Sequence, residues 1–337
     1  MRVGRRPLVL GAFAAAALGG GRARADDEGE NARARWLAGL EPPRAFEASA
    51  EWRAFAQTET ERWQATAPRI KAMEDWSARE LASLPFDRPV VYPFAGPDAL
   101  HAVALFGKAK RLFLVGLEPV GALPDAARAP AAGYFTRLGA AQADLHRLGF
   151  FRTQEMASDF AREGVVAALA GTIARLGGKI ASVQLGATPP SARIDWINKA
   201  GEARRLDYVQ TDLANTGLKA QAQLVADIHA LAPYVTFLKA AMYLLGEARF
   251  SYLRQTILDE SAVVLQDDTG VPLRCFDARW AMRFYGAYEP PPPAYADRAE
   301  SDLKVALEHR SVAALPFGFG YHVQPAKACL VVATKGK

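Results

Sequence analysis

Apolar residues recur at helical spacing through the first quarter of the chain. Trp52, Phe55 and Trp63 fall near one face, and beyond Pro68 the series Ile70, Met73, Trp76, Leu81 and Leu84 continues it, so the stretch from Asn31 to Leu84 is expected to be helical. Pro85-Phe86-Asp87-Arg88-Pro89 breaks the pattern. Short continuous apolar runs then alternate with helical ones, as in a sheet covered on both faces. The first unit reads as a strand from Val90 to Phe94, a turn at Ala95-Gly96-Pro97, a helix from Asp98 to Phe106 and a strand from Arg111 to Leu117. A strand–helix–strand unit this short implies a parallel pair joined by a right-handed crossover.

The pattern continues through a loop containing Pro124 and Pro130, with helices expected over Gly133 to Leu148 and Gln154 to Leu176. A strand from Lys179 to Ala187 is followed by a hairpin from Arg193 to Thr211, turning near Lys199-Ala200-Gly201. Next come a helix from Leu218 to Leu231, a short strand at Val235 to Phe237, helices between Lys239 and Leu258, and a strand from Ala262 to Gln266. The last quarter turns to strands at Leu273 to Phe276, Trp280 to Tyr285 and Ala328 to Thr334, with one helix around Asp302 to Arg310. The expected fold class is α/β: a Rossmann-like, mainly parallel sheet spanning 85–337, a helical layer over 26–84, and antiparallel strands at the C-terminal end.

Composition adds little to this, since half of the residues are apolar and 23% are charged, ample for a sizeable core. Charge changes the picture more. Lys and Arg number 41 against 36 Asp and Glu, a formal +5 over 337 residues, which taken alone suggests a nucleic-acid partner. The excess sits in Arg2, Arg5, Arg6, Arg22 and Arg24. Without the first 25 residues, 36 basic residues face 36 acidic ones, and a general attraction to phosphate loses its basis. No nucleic-acid partner is expected.

Those 25 residues have an order of their own. A basic start, an apolar stretch from Pro7 to Leu18, a break at Gly19 to Gly21, and Ala23-Arg24-Ala25 before Asp26 form the pattern of a secretory signal peptide. The chain is therefore expected to use the export machinery and to reside in the periplasm or outside the cell. Arg5-Arg6 followed by Leu8 and Val9 is similar to a twin-arginine signal; the general secretory route stays open beside it. No apolar run past the leader approaches the roughly 20 residues of a membrane span. Cys275 and Cys329 allow a single disulfide in an oxidising compartment, or two buried apolar thiols.

Most named chemical motifs are absent. There is no nucleophile elbow, Walker loop, His-Glu-x-x-His or Cys/His zinc spacing, and His101, His146, His229, His309 and His322 are scattered. The richest segment is Tyr92-Pro93-Phe94-Ala95-Gly96-Pro97-Asp98 with Gly116-Leu117-Glu118-Pro119. In Rossmann-like folds the turn after the first strand approaches the ligand, and an acidic residue about 20 positions on accepts ribose hydroxyls, a spacing that Gly96 and Glu118 satisfy. Pro97 removes a backbone N–H and Asp98 brings a carboxylate to the helix start, so a pyrophosphate meets repulsion there. The same residues also read as a tight turn and a stabilised helix start.

Gln266-Asp267-Asp268-Thr269-Gly270 offers paired carboxylates for acid/base work if the chain bends between them, or an ordinary turn. Lys239 follows a short apolar strand, either facing a ligand or snorkelling at the surface. Asp212 and Asn215 flank a helix start, with Asn215 a candidate N-cap. Candidate catalytic carboxylates are therefore Asp98, Glu118, Asp267 and Asp268; candidate ligand-binding residues are Tyr92, Gly96, Asp212 and Lys239. No metal-ligand set is legible and no cofactor is named.

From Val90 to Glu118 the chain is similar to the first motifs of S-adenosylmethionine-dependent methyltransferases, with Asp212 as a later acidic position, though the Gly-x-Gly turn is missing. The arrangement of Tyr92 to Asp98, Gly116 to Gly121, Gln266 to Pro272 and Pro316 to Tyr321 resembles a set of exported bacterial proteins of uncharacterised activity. These resemblances imply the fold and the compartment. Three functions remain open: a small-molecule binder, a carboxylate-dependent hydrolase of envelope material, and a non-catalytic interaction protein with a methyltransferase-like fold.

Overall fold

The computed structural model describes residues 20–42, 48–85, 87–125, 130–148, 164–309, 312–318 and 320–336. The leader up to residue 19 and the first part of the helix expected from Gln154 lie outside these. Two helices come first, α1 (Gly20–Leu37) and α2 (Ala50–Glu80). The Ser49 side chain caps α2 by accepting from the Trp52 N–H at 3.0 Å, and α2 runs on through Pro68. Gly39 ends α1 at φ +64°, and a Cβ there would stand 2.8 Å from the Ala56 Cα, so the turn between these helices demands glycine.

The remaining elements are β1 (Val90–Tyr92), α3 (Ala99–Leu105), β2 (Arg111–Gly116), α4 (Tyr134–Leu148), α5 (Val166–Arg175), β3 (Lys179–Ala187), β4 (Pro190–Ile197) and β5 (Ala203–Gln210). They continue with α6 (Asn215–Lys219), α7 (Ala222–His229), β6 (Tyr234–Leu238), α8 (Ser251–Glu260), β7 (Ser261–Gln266), β8 (Trp280–Gly286), α9 (Ser301–His309), β9 (Val312–Ala313) and β10 (Cys329–Lys335).

The strands form one sheet in the order β3-β4-β5-β2-β1-β6-β7-β10-β8-β9. Its centre, β5-β2-β1-β6-β7, is parallel throughout, and Val90 to Tyr92 pair with Leu112 to Leu114. β10 is antiparallel to both β7 and β8. With β3, β4, β9 and β10 left aside, the six remaining strands β5-β2-β1-β6-β7-β8, counted by their order along the chain, stand in the doubly wound order 3-2-1-4-5-6, whose direction reverses between β1 and β6. The central strands are buried on both faces, with all three residues of β1 and all five of β6 shielded, as the apolar runs require. Antiparallel pairing is confined to the β3–β4–β5 meander and the C-terminal strands.

One core joins the helical layer to the sheet: Trp36, Trp52, Phe55, Met73 and Trp76 pack in the same cluster as Leu114, Phe237 and Leu330. Trp76 is fully buried, edge-on to Tyr285 at 5.0 Å and Phe317 at 5.6 Å.

Two sequence expectations are corrected. Leu273 to Phe276 is no strand but a 3-10 turn over Leu273–Cys275, in which Cys275 N–H donates to Pro272 O at 2.9 Å; the proline fixes φ at the entry to that turn. The helix expected from Leu218 to Leu231 is two, because Gln221 leaves the helical region at φ −117°, ψ 58°. Both cysteines are free, Cys329 buried and Cys275 half-buried.

Candidate functional site

A cavity of about 520 Å3 opens at the carboxyl ends of β1, β2, β5 and β6, where the strand order reverses. Six of the eight residues singled out in the sequence line it: Tyr92, Gly96, Asp98, Glu118, Asp212 and Lys239. Asp267 and Asp268 follow β7 and are buried, but they stand behind the lining.

Asp98 is the N-cap of α3, not a first-turn residue, and Pro97 precedes the helix. Four donors converge on its carboxylate. Its Oδ1 accepts from the His101 backbone N–H at 3.1 Å and lies 2.9 Å from His101 Nδ1; its Oδ2 accepts from the Tyr92 hydroxyl at 2.9 Å and lies 2.5 Å from Lys239 Nζ. Asp98, His101, Tyr92 and Lys239 are all at most 2% exposed. Lys239 is therefore no surface lysine, because its ammonium ends against a buried carboxylate.

The electrostatics follow from that burial. Desolvation pushes the Asp98 carboxyl up, but His101 and Lys239 outweigh it and hold it well below its usual range. Desolvation lowers His101 to about 4 against the pull of Asp98, so the ring is neutral at neutral pH. His101 Nδ1 stands between Asp98 and Lys239 Nζ, 3.1 Å from the latter, and Nε2 is buried without a hydrogen bond. Burial also lowers Lys239, with Asp98 opposing, and holds the Tyr92 phenol protonated, Asp98 adding to the same effect.

Glu118 sits on the other wall. Tyr208 donates from its hydroxyl to the Glu118 carbonyl at 2.9 Å and reaches Oε2 at 3.3 Å. Two glycines make room for it. Gly96 is left-handed at φ +51°, and a Cβ on Gly116 would fall 2.6 Å from Glu118 Oε2, 2.7 Å from Tyr208 Oη and 3.1 Å from the Gly96 Cα. The glycine at 96 thus serves backbone geometry and the approach of β2. Asp212 is an exposed rim residue whose Oδ1 accepts from Ala214 N–H at 2.9 Å. Asn215 does not cap its own helix; its Oδ1 accepts from Tyr252 N–H at 3.0 Å, serving the start of α8.

Asp267 and Asp268 form a clamp. Asp267 accepts from Ala240 N–H at 2.8 Å, Thr269 N–H at 2.9 Å and Thr269 Oγ1 at 2.6 Å; Thr269 Oγ1 in turn accepts from Ala241 N–H at 2.7 Å. Asp268 accepts from the Tyr243 hydroxyl and faces His322 Nε2 at 3.9 Å. Burial raises both carboxyls, and for Asp267 the neighbouring Asp268 adds to it. The segment they grip is strained. Phe94, Ala240, Met242 and Tyr243 are the non-glycine residues with positive φ among the described residues, at 50° to 59°, and Phe94, Ala240 and Met242 line the cavity.

Sequence reasoning missed His101, whose place three residues after a helix-capping Asp was the available signal, and the aromatic residues Phe250 and Tyr295, which line the cavity together with Phe94 and Tyr321. It also missed a polar layer between α2 and α4, where Thr66 Oγ1 meets His146 Nδ1 at 2.9 Å. His229 is nearly half exposed and paired with Glu260. Among the described residues no group of three or more His, Cys, Asp or Glu could hold a metal ion, and no helix is long and apolar enough to cross a membrane.

No family model matches the chain, and no curated protein does. Among solved structures it is similar to the plantazolicin methyltransferase BpumL in complex with SAH, at 7% identity over 94% of this chain and 100% of that one, with a TM-score of 0.30. A superposition that loose carries no argument about chemistry. The α/β class rests on the sheet itself.

Proposed function

We propose that the protein binds a small, ring-bearing, hydroxyl-rich molecule in the cavity at the switch point. The observation that carries this reading is the concentration of backbone strain there. Left-handed φ at Phe94, Ala240 and Met242 costs of order 1–3 kcal/mol per residue and persists where surrounding contacts impose it, which is characteristic of ligand sites. Glu118 at the end of β2 has the spacing of a hydroxyl acceptor, and the aromatic wall offers faces for a ring. Among the described residues the cations lining the cavity are Lys239 and Arg249, and each has a carboxylate partner, Asp98 and Glu247. That favours a neutral ligand over an anionic one. The loose methyltransferase resemblance of Val90 to Glu118 agrees with a nucleoside-like ligand.

The experiment is thermal shift and calorimetry against adenosine-type ligands, sugars and amino acids. A saturable effect that weakens in Glu118→Ala is expected; no saturable effect, or one unchanged in that variant, removes the reading. A hydrolase needs two carboxylates facing one substrate, and the withdrawn position of Asp267 and Asp268 gives it less support.

We also propose export, with cleavage after Ala25. That cut would leave the part of α1 from Asp26 onward, including buried Ala34, Trp36 and Leu37 and Asn31, whose Oδ1 accepts from Ile180 N–H at 3.1 Å. N-terminal sequencing of the secreted chain tests it, and a mature protein that still begins at Met1 removes it.

A further inference from the structure

The geometry points to Lys239 as a nucleophile that forms an imine with a small hydroxy-aldehyde or hydroxy-ketone entering the switch-point cavity. This inference rests on the binding reading above and adds a reaction to it. Lys239 follows β6, lines the cavity and is only 2% exposed, so a carbonyl that reaches it has left bulk water behind. Its Nζ is 2.5 Å from Asp98 Oδ2, a carboxylate positioned to take the ammonium proton and return it. Amines become effective nucleophiles when desolvation favours the neutral form, and burial acts on Lys239 in that direction.

The step balances without a co-reactant. A proton passes from the Lys239 ammonium to Asp98, and the neutral amine attacks the carbonyl carbon. The carbonyl oxygen of the resulting carbinolamine is protonated from Asp98, and a second proton from nitrogen leaves with that oxygen as water. The product is a protonated imine, carrying the same single positive charge as the starting ammonium and facing the same Asp98 carboxylate. A buried ion pair is costly to disrupt; here it is kept from reactant to product, so the low-dielectric setting does not oppose the reaction. Tyr92 and His101 act as positioning residues, holding Asp98 through three further hydrogen bonds. The hydroxyl requirement comes from Glu118 on the opposite wall, and the ion-paired state of Lys239 and Arg249 argues against a keto-acid.

The test uses the folded full chain with glycolaldehyde or ribose and sodium cyanoborohydride, followed by peptide mapping. Lys239 is expected to carry the reduced adduct in clear excess over the exposed Lys71. Methyl riboside, which has no free carbonyl, should protect it. Lys239→Arg keeps the charge against Asp98 and should lose the adduct; if that variant does not fold, the wild-type map carries the test alone. Labelling of surface lysines with Lys239 untouched, or labelled only after denaturation, overturns the inference. If methyl riboside still raises the melting temperature in that case, the binding reading stands and the imine alone falls; if it does not, both fall.

Discussion

Replacing Lys239 by Met tests the electrostatic core of the site. The substitution keeps the length of the aliphatic stem and removes the ammonium, leaving the Asp98 carboxylate buried at 1% exposure. Removing one partner of a buried ion pair costs about 3–5 kcal/mol. Asp98 keeps the Tyr92 hydroxyl and two His101 donors, which puts the loss at the lower end, about 3 kcal/mol. At about 2.1 cal/mol/K of unfolding entropy per residue, that lowers the melting temperature of a chain this long by about 4 °C. Urea unfolding at pH 7 measures the free energy directly, and its pH dependence supplies a second signature. In the native protein the Asp98 carboxyl lies below its ordinary value, so its contribution is full above the unfolded value near 4 and is lost as pH falls through the folded one. In Lys239→Met burial acts on that carboxyl without Lys239 opposing it, and protonation relieves the penalty, so the gap between variant and wild type should narrow as the pH drops below about 4. A loss under about 1 kcal/mol, the level of an exposed pair, or a gap that does not change with pH, would refute the reasoning.

Three further outcomes are expected. Gly116→Ala drives a methyl group against Glu118 Oε2 and Tyr208 Oη and should cost about 1–3 kcal/mol, read by thermal unfolding, with weakened binding of any ligand that depends on Glu118. The raised carboxyls of Asp267 and Asp268 mean that the folded state holds their protons more tightly than the unfolded one, so this pair's contribution to stability falls as pH rises from the ordinary Asp range toward the raised values; Asp268→Asn should flatten that slope between about pH 4 and about pH 7 in urea titrations. Burial pushes the Cys329 thiol well up, so a thiol reagent at pH 8 should titrate Cys275 in the native protein and Cys329 only after denaturation, whereas rapid native labelling of both would contradict the packing.

The fold was legible where burial and chain period agree. Val90 to Tyr92 and Tyr234 to Leu238 are apolar because both faces are covered, and their order along the chain implies a doubly wound sheet. The two expectations that failed, at Leu273 to Phe276 and across Gln221, lie in short segments where apolar residues fit a strand, a turn or a helix equally well, and backbone angles at single residues decide. The site was partly legible for a related reason. Asp98 and Glu118 sit at the ends of adjacent strands, so their spacing along the chain maps onto their spacing in the cavity. Lys239 meets Asp98 only through pairing of β1 with β6, across 141 positions of sequence, and no local pattern encodes that meeting. For the same reason Asp267–Asp268 reads from sequence either as a catalytic dyad or as an ordinary turn, and its hydrogen bonds to the backbone of Ala240 and Thr269 and to Tyr243 favour the turn.

The left-handed residues after β6 also bear on how the cavity could be moved to another protein. Ala240, Met242 and Tyr243 hold conformations that their own side chains disfavour, in a segment whose Ala240 and Ala241 N–H groups donate to Asp267 and Thr269 and whose Tyr243 hydroxyl donates to Asp268. A graft of residues 238–243 onto a foreign scaffold would relax to right-handed angles and turn Lys239 away from its partner. The portable unit is the adjoining ends of β1, β6 and β7 with their loops, and a designer who softened the segment with glycines would gain stability while giving up the fixed direction of the amine.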